Sequence, residues 1–257
     1  MKLWFLCIFS TACIFAVPPK GIPPELLEAY TDGGESPVVY HYFDDSTACK
    51  GVNYYSKNQV NQLIKRAKKK KRNYYGRTDK WLYQLLDRHH DLIKGKTVAV
   101  MGSVEPWYEA VVLAYKGHPY TIEYNKLETN DSRLKLVTVE DFKKNPQKFD
   151  VIISISSFEH DGLGRYGDPL DPNGDLRAMQ ECLEMLNPQG KLILSVPVGG
   201  GCLVWNAHRI YGRQRLPKLF RGWNLIDYSG PDLNALLEGP AEDQYKQPIF
   251  LLEPSGP

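Results

Sequence analysis

The chain has 257 residues, 42% hydrophobic and 24% charged, which is ordinary globular material with room for one α/β domain and an N-terminal extension. A formal charge of +2 gives no overall electrostatic reason to expect nucleic acid as a partner, so basic runs are read locally. Five cysteines in a chain of this length exclude a disulfide-built scaffold.

Lys2 precedes an apolar run, Leu3 to Val17, with Ser10, Ala12 and Ala16 towards its end and Pro18-Pro19 after it. This pattern predicts a signal peptide over residues 1–17. The run falls short of the roughly 20 apolar residues that cross a bilayer. An uncleaved signal anchor, with membrane association through this segment, is the alternative. The chain is therefore expected in the secretory pathway, either secreted or held in the ER or Golgi lumen. Cys7 and Cys13 fall inside the signal. Of the other three, Cys182 stands at helical spacing with Met179 and Leu186 and reads as a buried apolar residue. Only Cys49 and Cys202 remain open to pairing. Asn130-Asp131-Ser132 is a glycosylation sequon in a polar, loop-like stretch.

Residues 18–94 read as an N-terminal extension. Its first part, to about Ala48, is rich in Pro, Gly and acidic residues and reads as a loosely packed arm. Lys57 to Arg72 reads as a helix ending in the basic run Lys65–Arg72, a solvated face or a contact for anionic lipid or glycan. Asp79 to Ile93 carries Trp81, Leu82, Leu85, Leu86 and Ile93 at helical spacing, expected to pack on the edge of the domain that begins at Gly95.

From Gly95 to the end, over residues 95–257, strands and helices alternate. Thr97 to Met101 suits a buried parallel strand. Pro106 stands where a first-turn proline is tolerated, before Trp107, Ala110, Val111 and Ala114 at helical spacing, and Gly117 closes that helix. Further strands are expected at Tyr120–Tyr124, Leu136–Val139, Phe149–Ile155, Lys191–Val196, Trp223–Tyr228 and Gln247–Leu252. Helices are expected at about Asp175–Leu186 and Pro231–Leu237, and a turn at Asn187–Gly190. Alternating units of this kind imply a parallel sheet with helices on both faces and a ligand site beyond the strand carboxyl ends.

The first loop after a strand is Met101-Gly102-Ser103-Val104-Glu105-Pro106-Trp107, where Gly102 and Ser103 would let a ligand near the helix N-terminus. One glycine is not a dinucleotide fingerprint, which counts against an NAD enzyme. Glu123, about 20 residues on at the end of the second strand, is placed to accept hydrogen bonds from a ribose diol. Asp141 suits either an adenine contact or a helix cap. The stretch from Ser154 to Leu176 leaves the fourth strand as a long polar loop at the rim, and loops of this length are functional or disordered. Ser156 at its start would line the cofactor site. His160 reads as a general base or as a packing residue bonded to backbone. Glu159, Arg165, Tyr166 and Asp168 face the expected substrate. The neighbours Glu159, His160 and Asp161 diverge, so no metal site is expected. After the fifth strand come Gly199-Gly200-Gly201, then His208 and Arg209 with Arg213 and Arg215. These hold an anionic or sugar-like substrate by forked hydrogen bonds, or pair with acids of the long loop.

The segments GSVEPWYEA, TIEYN, SSFEHDGLGRYGDPLDPNGDL, LSVPVGG and WNAHRIYGRQRLP together resemble a nematode-expanded family known as domain of unknown function 268, from about Lys94 to Pro254. The fold is similar to that of class I S-adenosylmethionine-dependent methyltransferases. The resemblance implies a Rossmann-like three-layer sandwich with a mostly parallel seven-stranded sheet and a late antiparallel strand, and S-adenosyl-L-methionine as cofactor. Three alternative functions are then open. The first is methyl transfer to a small-molecule, glycan or lipid acceptor, with no nucleic-acid partner. The second is a catalytically inactive, methyltransferase-like binding protein. The third is a nucleotide-sugar or dinucleotide enzyme.

Overall fold

The computed structural model describes residues 18–45, 52–241 and 244–256, so the expected signal, Cys7, Cys13 and Cys49 lie outside the described residues. An arm of α1 (Pro24–Tyr30) and β1 (Val38–Tyr40) leads to β2 (Asn53–Tyr55), α2 (Lys57–Lys68) and α3 (Arg77–Arg88). Then come β3 (Thr97–Met101), α4 (Trp107–Ala114), β4 (His118–Glu123), β5 (Leu127–Thr129), β6 (Lys135–Thr138), α5 (Val139–Lys144) and β7 (Phe149–Ile155). The long loop contains one 3-10 turn, Phe158–His160, and is followed by α6 (Gly174–Met185) and β8 (Leu186–Ser195). Two short pieces, β9 (Val198–Gly199) and β10 (Cys202–Trp205), precede β11 (His208–Ile210), α7 (Leu216–Leu219) and β12 (Trp223–Ser229). The chain closes with α8 (Leu233–Leu237), β13 (Tyr245–Lys246) and β14 (Ile249–Pro254).

The main sheet has seven strands in the order β12-β14-β8-β7-β3-β4-β6. β6, β4, β3, β7 and β8 are parallel neighbours, while β14 runs antiparallel to both β8 and β12. One reversed late strand in a parallel sheet is the expected plan. The chain moves from β3 outward to β4 and β6, then returns to the other side of β3 as β7. That reversal leaves a crevice at the carboxyl ends of β3 and β7, where Met101 is opposite Ser154.

Side chains alternate across the sheet and so serve two cores. Val98, Val100, Val151 and Ile153 face α2, α3 and α4 through Val60, Leu63, Leu82, Leu86, Ala110 and Val111. Ala99, Ile152, Leu192 and Leu194 face α5, α6 and α7 through Phe142, Met179, Cys182, Leu216 and Leu219. The result is three layers, with the helices of residues 57–88 covering one face of the sheet.

Three details differ from the sequence reading. The arm is packed, because its aromatic residues have somewhere to go. Tyr30 is 3% exposed, sits edge-on to Trp205 and donates its hydroxyl to the Gly162 carbonyl, while β1 pairs parallel with β10. The helix through the basic run stops at Lys68, since Lys70 turns left-handed at φ 51°. The turn at Asn187–Gly190 lies inside a strand. β8 already pairs Leu186 with Phe149, then bulges through Gln189 at φ 66° before Lys191 meets Val151. Among the described residues no helix is long and apolar enough to cross a membrane.

Candidate active site at the strand carboxyl ends

The turn after β3 is set by Gly102, whose φ of 71° disfavours any residue with a Cβ. A Cβ there would also stand 2.7 Å from Ser157 Oγ, so the strand ends of β3 and β7 approach each other through this glycine. The Ser103 N–H donates to Glu123 Oε2 at 2.7 Å, and Glu123 Oε1 accepts from the N–H groups of Tyr124 (2.9 Å) and Asn125 (3.4 Å). The carboxylate therefore ties the first loop to the end of β4. Of its roughly four lone-pair positions, the one left on Oε2 is open to a ribose hydroxyl, and a second opens if the long Asn125 bond gives way. Burial raises the Glu123 pKa and these N–H groups oppose the rise.

Two residues absent from the sequence reading support this loop. The Tyr55 hydroxyl, brought in by β2, donates to the Ser103 carbonyl at 2.7 Å. Glu109 lies fully buried on α4; its Oε1 accepts from Thr121 Oγ1 at 2.8 Å, while among the described residues Oε2 has no hydrogen-bond partner. Burial raises its pKa. An acid on the apolar helix WYEAVVLA was a readable signal of this second carboxyl.

Ser156 and Glu159 form the next layer. Ser156 adopts φ 55° and donates Oγ–H to Glu159 Oε1 at 2.6 Å. Gln247 Nε2, at the entrance to β14, donates to Ser156 Oγ (2.9 Å) and Glu159 Oε1 (3.3 Å). Glu159 is 1% exposed and, among the described residues, its Oε2 has no hydrogen-bond partner. Burial pushes its pKa up to about 7, against the opposing bond from Ser156 and the Arg209 charge.

His160 is bonded at one nitrogen and open at the other. Nδ1 lies 2.6 Å from the Ala207 carbonyl, which only accepts, so Nδ1 carries the proton and Nε2 the lone pair. Burial lowers the His160 pKa to about 4, helped by Arg165, His208 and Arg209 and opposed by the Ala207 bond. Nε2 is 3.8 Å from Glu159 Oε1. The raised pKa of Glu159 and the lowered pKa of His160 both disfavour an ion pair between them. Tyr166 and His208 flank the ring edge-on, at 5.6 and 6.3 Å between centroids.

The remaining expected site residues hold the rim together. Arg209 is 2% exposed, with NH1 on the carbonyls of Glu159 and Asp161, NH2 on those of Asp171 and Pro172, and Nε 3.6 Å from Asp175. Its donors are engaged inside the protein. Arg215 grips the fully buried Asp175 with two bonds of 2.6 and 2.9 Å, and Arg213 pairs with Glu238 on the surface. Arg165 bonds Asp45 at 2.6 Å and lies over the rings of Phe43 and Tyr166. Asp168 accepts from the N–H groups of Gly162 (2.8 Å), Gly164 (3.1 Å) and Tyr166 (3.3 Å). Replacing Asp168 by Ala should therefore loosen residues 162–168, at a cost of about 1–3 kcal/mol for unpaired N–H groups. Faster hydrogen exchange confined to this loop is the expected readout, and unchanged exchange would remove the staple role.

Asp141 stands in the first turn of α5, which Thr138 caps: Asp141 N–H donates to Thr138 Oγ1 at 3.0 Å, and the Thr138 hydroxyl donates to Asp141 Oδ2 at 2.9 Å. The glycines after β8 serve backbone packing. A Cβ on Gly199 would be 2.5 Å from the Gln244 carbonyl, and one on Gly200 would be 2.3 Å from that of Gly239. Asn130 is exposed and its Oδ1 accepts from the Lys57 N–H at 2.7 Å. No group of three potential metal ligands occurs among the described residues.

The strand order and the crevice it creates define a Rossmann-like domain of the class I methyltransferase type. The chain belongs to the family described as Caenorhabditis protein of unknown function, DUF268, whose model matches residues 95–242. Among solved structures, the chain is similar to the Burkholderia thailandensis 1,6-didemethyltoxoflavin-N1-methyltransferase, crystallised with bound 1,6-didemethyltoxoflavin and S-adenosylhomocysteine. That likeness has 12% identity, covers 92% of each chain and gives a TM-score of 0.48. It is also similar to the CcbJ methyltransferase of Streptomyces caelestis, at 11% identity over 70% of this chain and 90% of the other, with a TM-score of 0.43. No curated protein matches the sequence.

Proposed function

We propose that the protein is an S-adenosylmethionine-dependent methyltransferase whose proton acceptor is His160. The observation that carries this reading is the fixed tautomer: Nδ1–H bound to the Ala207 carbonyl, Nε2 held as a lone pair, and burial keeping the ring neutral. Buried titratable groups with displaced pKa values at the mouth of a sheet are where acid–base chemistry is found. When bound, S-adenosylmethionine supplies an electrophilic methyl group on a sulfonium. Glu123 Oε2 would take a ribose hydroxyl, and Gly102, Ser103 and the short Ser157 rotor would line the other end. His160 Nε2 would accept the proton lost by the acceptor's hydroxyl or amine, and the carboxylate form of Glu159, 3.8 Å away, would stabilise the imidazolium.

The acceptor in this proposal is a small molecule, glycan or lipid of the secretory pathway. That location is supported by the Leu3–Val17 run and by the exposure of Asn130 in its sequon. Membrane association would come through residues 1–17. A second reading, a non-catalytic ligand-binding protein, is favoured by one feature: Glu123 already holds three backbone N–H groups of its own loops.

Calorimetric titration with S-adenosylmethionine and S-adenosylhomocysteine separates the two. Micromolar affinity, about −8 kcal/mol, is expected for the enzyme. Glu123→Gln keeps the shape and one acceptor but loses the charge; it should weaken binding about tenfold, or ~1.4 kcal/mol. Equal affinity in that variant would remove the ribose assignment, and no binding by folded parent protein would leave the non-catalytic reading.

A further inference from the structure

The basic run has a geometry the catalytic reading does not use. Residues 65–80 contain nine Lys and Arg against one acid, Asp79, a local excess of eight in a chain of net +2. The rest of the chain is therefore net negative by six. Every cation of Lys65–Arg72 is exposed, as are Arg77 and Lys80. Lys70 pairs with Asp87, but among the described residues Lys65, Lys68, Lys69, Lys71, Arg72, Arg77 and Lys80 lie within 4.0 Å of no carboxylate.

Three cations of this run, Lys70, Arg72 and Lys80, line a recess. A cavity of about 320 Å³ lies between the turn after α2 and the outer face of α3, lined by Lys70, Arg72, Lys80, Tyr83, Gln84 and Asp87. The turn closes through Lys70 N–H to the Ala67 carbonyl (2.8 Å) and Lys71 N–H to the Arg66 carbonyl (3.0 Å). In this helix-ending motif the left-handed residue is usually glycine. Here it is Lys70, at φ 51°, so an ammonium group is kept at the cavity where the backbone would prefer no side chain.

We propose that this cavity binds the sulfate-bearing sugars of an acidic polysaccharide. Arg72 and Lys80 would hold a sulfate, joined by Lys70 once it exchanges Asp87 for the anion, and the Gln84 amide suits sugar hydroxyls. Lys65, Lys68, Lys69 and Lys71 extend the positive surface for neighbouring units of the chain. A lipid surface fits less well, because Tyr74, 83% exposed, is the one large hydrophobic of residues 65–88 open to solvent.

The test is equilibrium binding of the full chain to a fluorescent heparin oligosaccharide. Vesicles of phosphatidylcholine with phosphatidylserine form the second arm. Heparin should bind with micromolar affinity and weaken steeply between about 50 and about 200 mM salt. The triple variant Lys70→Gly, Arg72→Gln, Lys80→Gln should lose about tenfold or more in affinity. Lys70→Gly alone should weaken binding while leaving the thermal midpoint equal or higher, which a purely structural Lys70 would not do. Undiminished heparin affinity in the triple variant, or capture by vesicles without binding to heparin, would overturn the proposal.

Discussion

Arg215→Met should destabilise the protein by about 3–5 kcal/mol, the usual result of stranding a buried charge. Asp175 has no exposed surface. Burial alone would raise its pKa, yet the Arg209 and Arg215 charges and the Tyr211 hydroxyl hold it below the ordinary value. Its contribution is thus present above the usual carboxylate range and is lost as pH falls through the lowered folded value. Arg215 supplies two hydrogen bonds to this carboxylate, beside the 2.9 Å bond from the Tyr211 hydroxyl, reaches the Pro172 carbonyl at 2.6 Å and pairs with Asp32 of the arm at 3.1 Å. Removing it therefore frees the long loop and the arm together. Urea midpoints give the magnitude, and adding Asp175→Asn should recover part of the loss by removing the stranded charge. A single variant within about 0.5 kcal/mol of the parent would show that Arg209 alone suffices.

The second large effect is a cancellation that single variants should expose. His160 is held down to about 4 from an ordinary 6.5, so its contribution is complete above about 6.5 and is lost as pH falls toward 4. Glu159 is pushed up to about 7 from an ordinary 4.5, so its contribution is complete below about 4.5 and is lost as pH rises through 7. Each group imposes a slope of ~1.4 kcal/mol per pH unit, and across their shared window the slopes have opposite sign. In the parent the two contributions should nearly cancel there. Relative to the parent, the stability of Glu159→Gln should rise by about 3 kcal/mol from pH 4.5 to 7, and that of His160→Phe should fall by about 3 kcal/mol from pH 4 to 6.5. Two variants whose pH profiles parallel the parent's would mean that neither group is displaced. If His160 is the proton acceptor, turnover should likewise persist well below pH 6.5 and fail only near its lowered pKa.

Much of the fold was legible because it rests on local signals. The apolar runs Thr97–Met101 and Phe149–Ile155 are strands at those bounds. Parallel strands are buried on both faces and so read as unbroken apolar stretches. The arm was less legible. Tyr30 and Val38 look like any loop residues until Trp205 and β10, more than 160 positions away, give them a partner. The end of α2 was misplaced because a lysine stands in the left-handed position that glycine usually marks.

At the site, sequence placed Glu123 at the end of its strand and His160 just beyond β7. It could not divide the polar rim into residues that face a ligand and residues that face the protein. Arg209 and Asp168 have the chemistry of substrate contacts, yet their hydrogen bonds close on the long loop's own backbone. Gln247 reaches Ser156 and Glu159 because β14 inserts beside β8. What the sequence by itself determined is the alternation of strands and helices and the residues at strand ends, since these depend on near neighbours and a period. Tertiary structure alone decided which polar groups lose water and which find partners. Desolvation and pairing depend on the whole packed surroundings, and they make His160 a neutral imidazole and Arg209 a clamp.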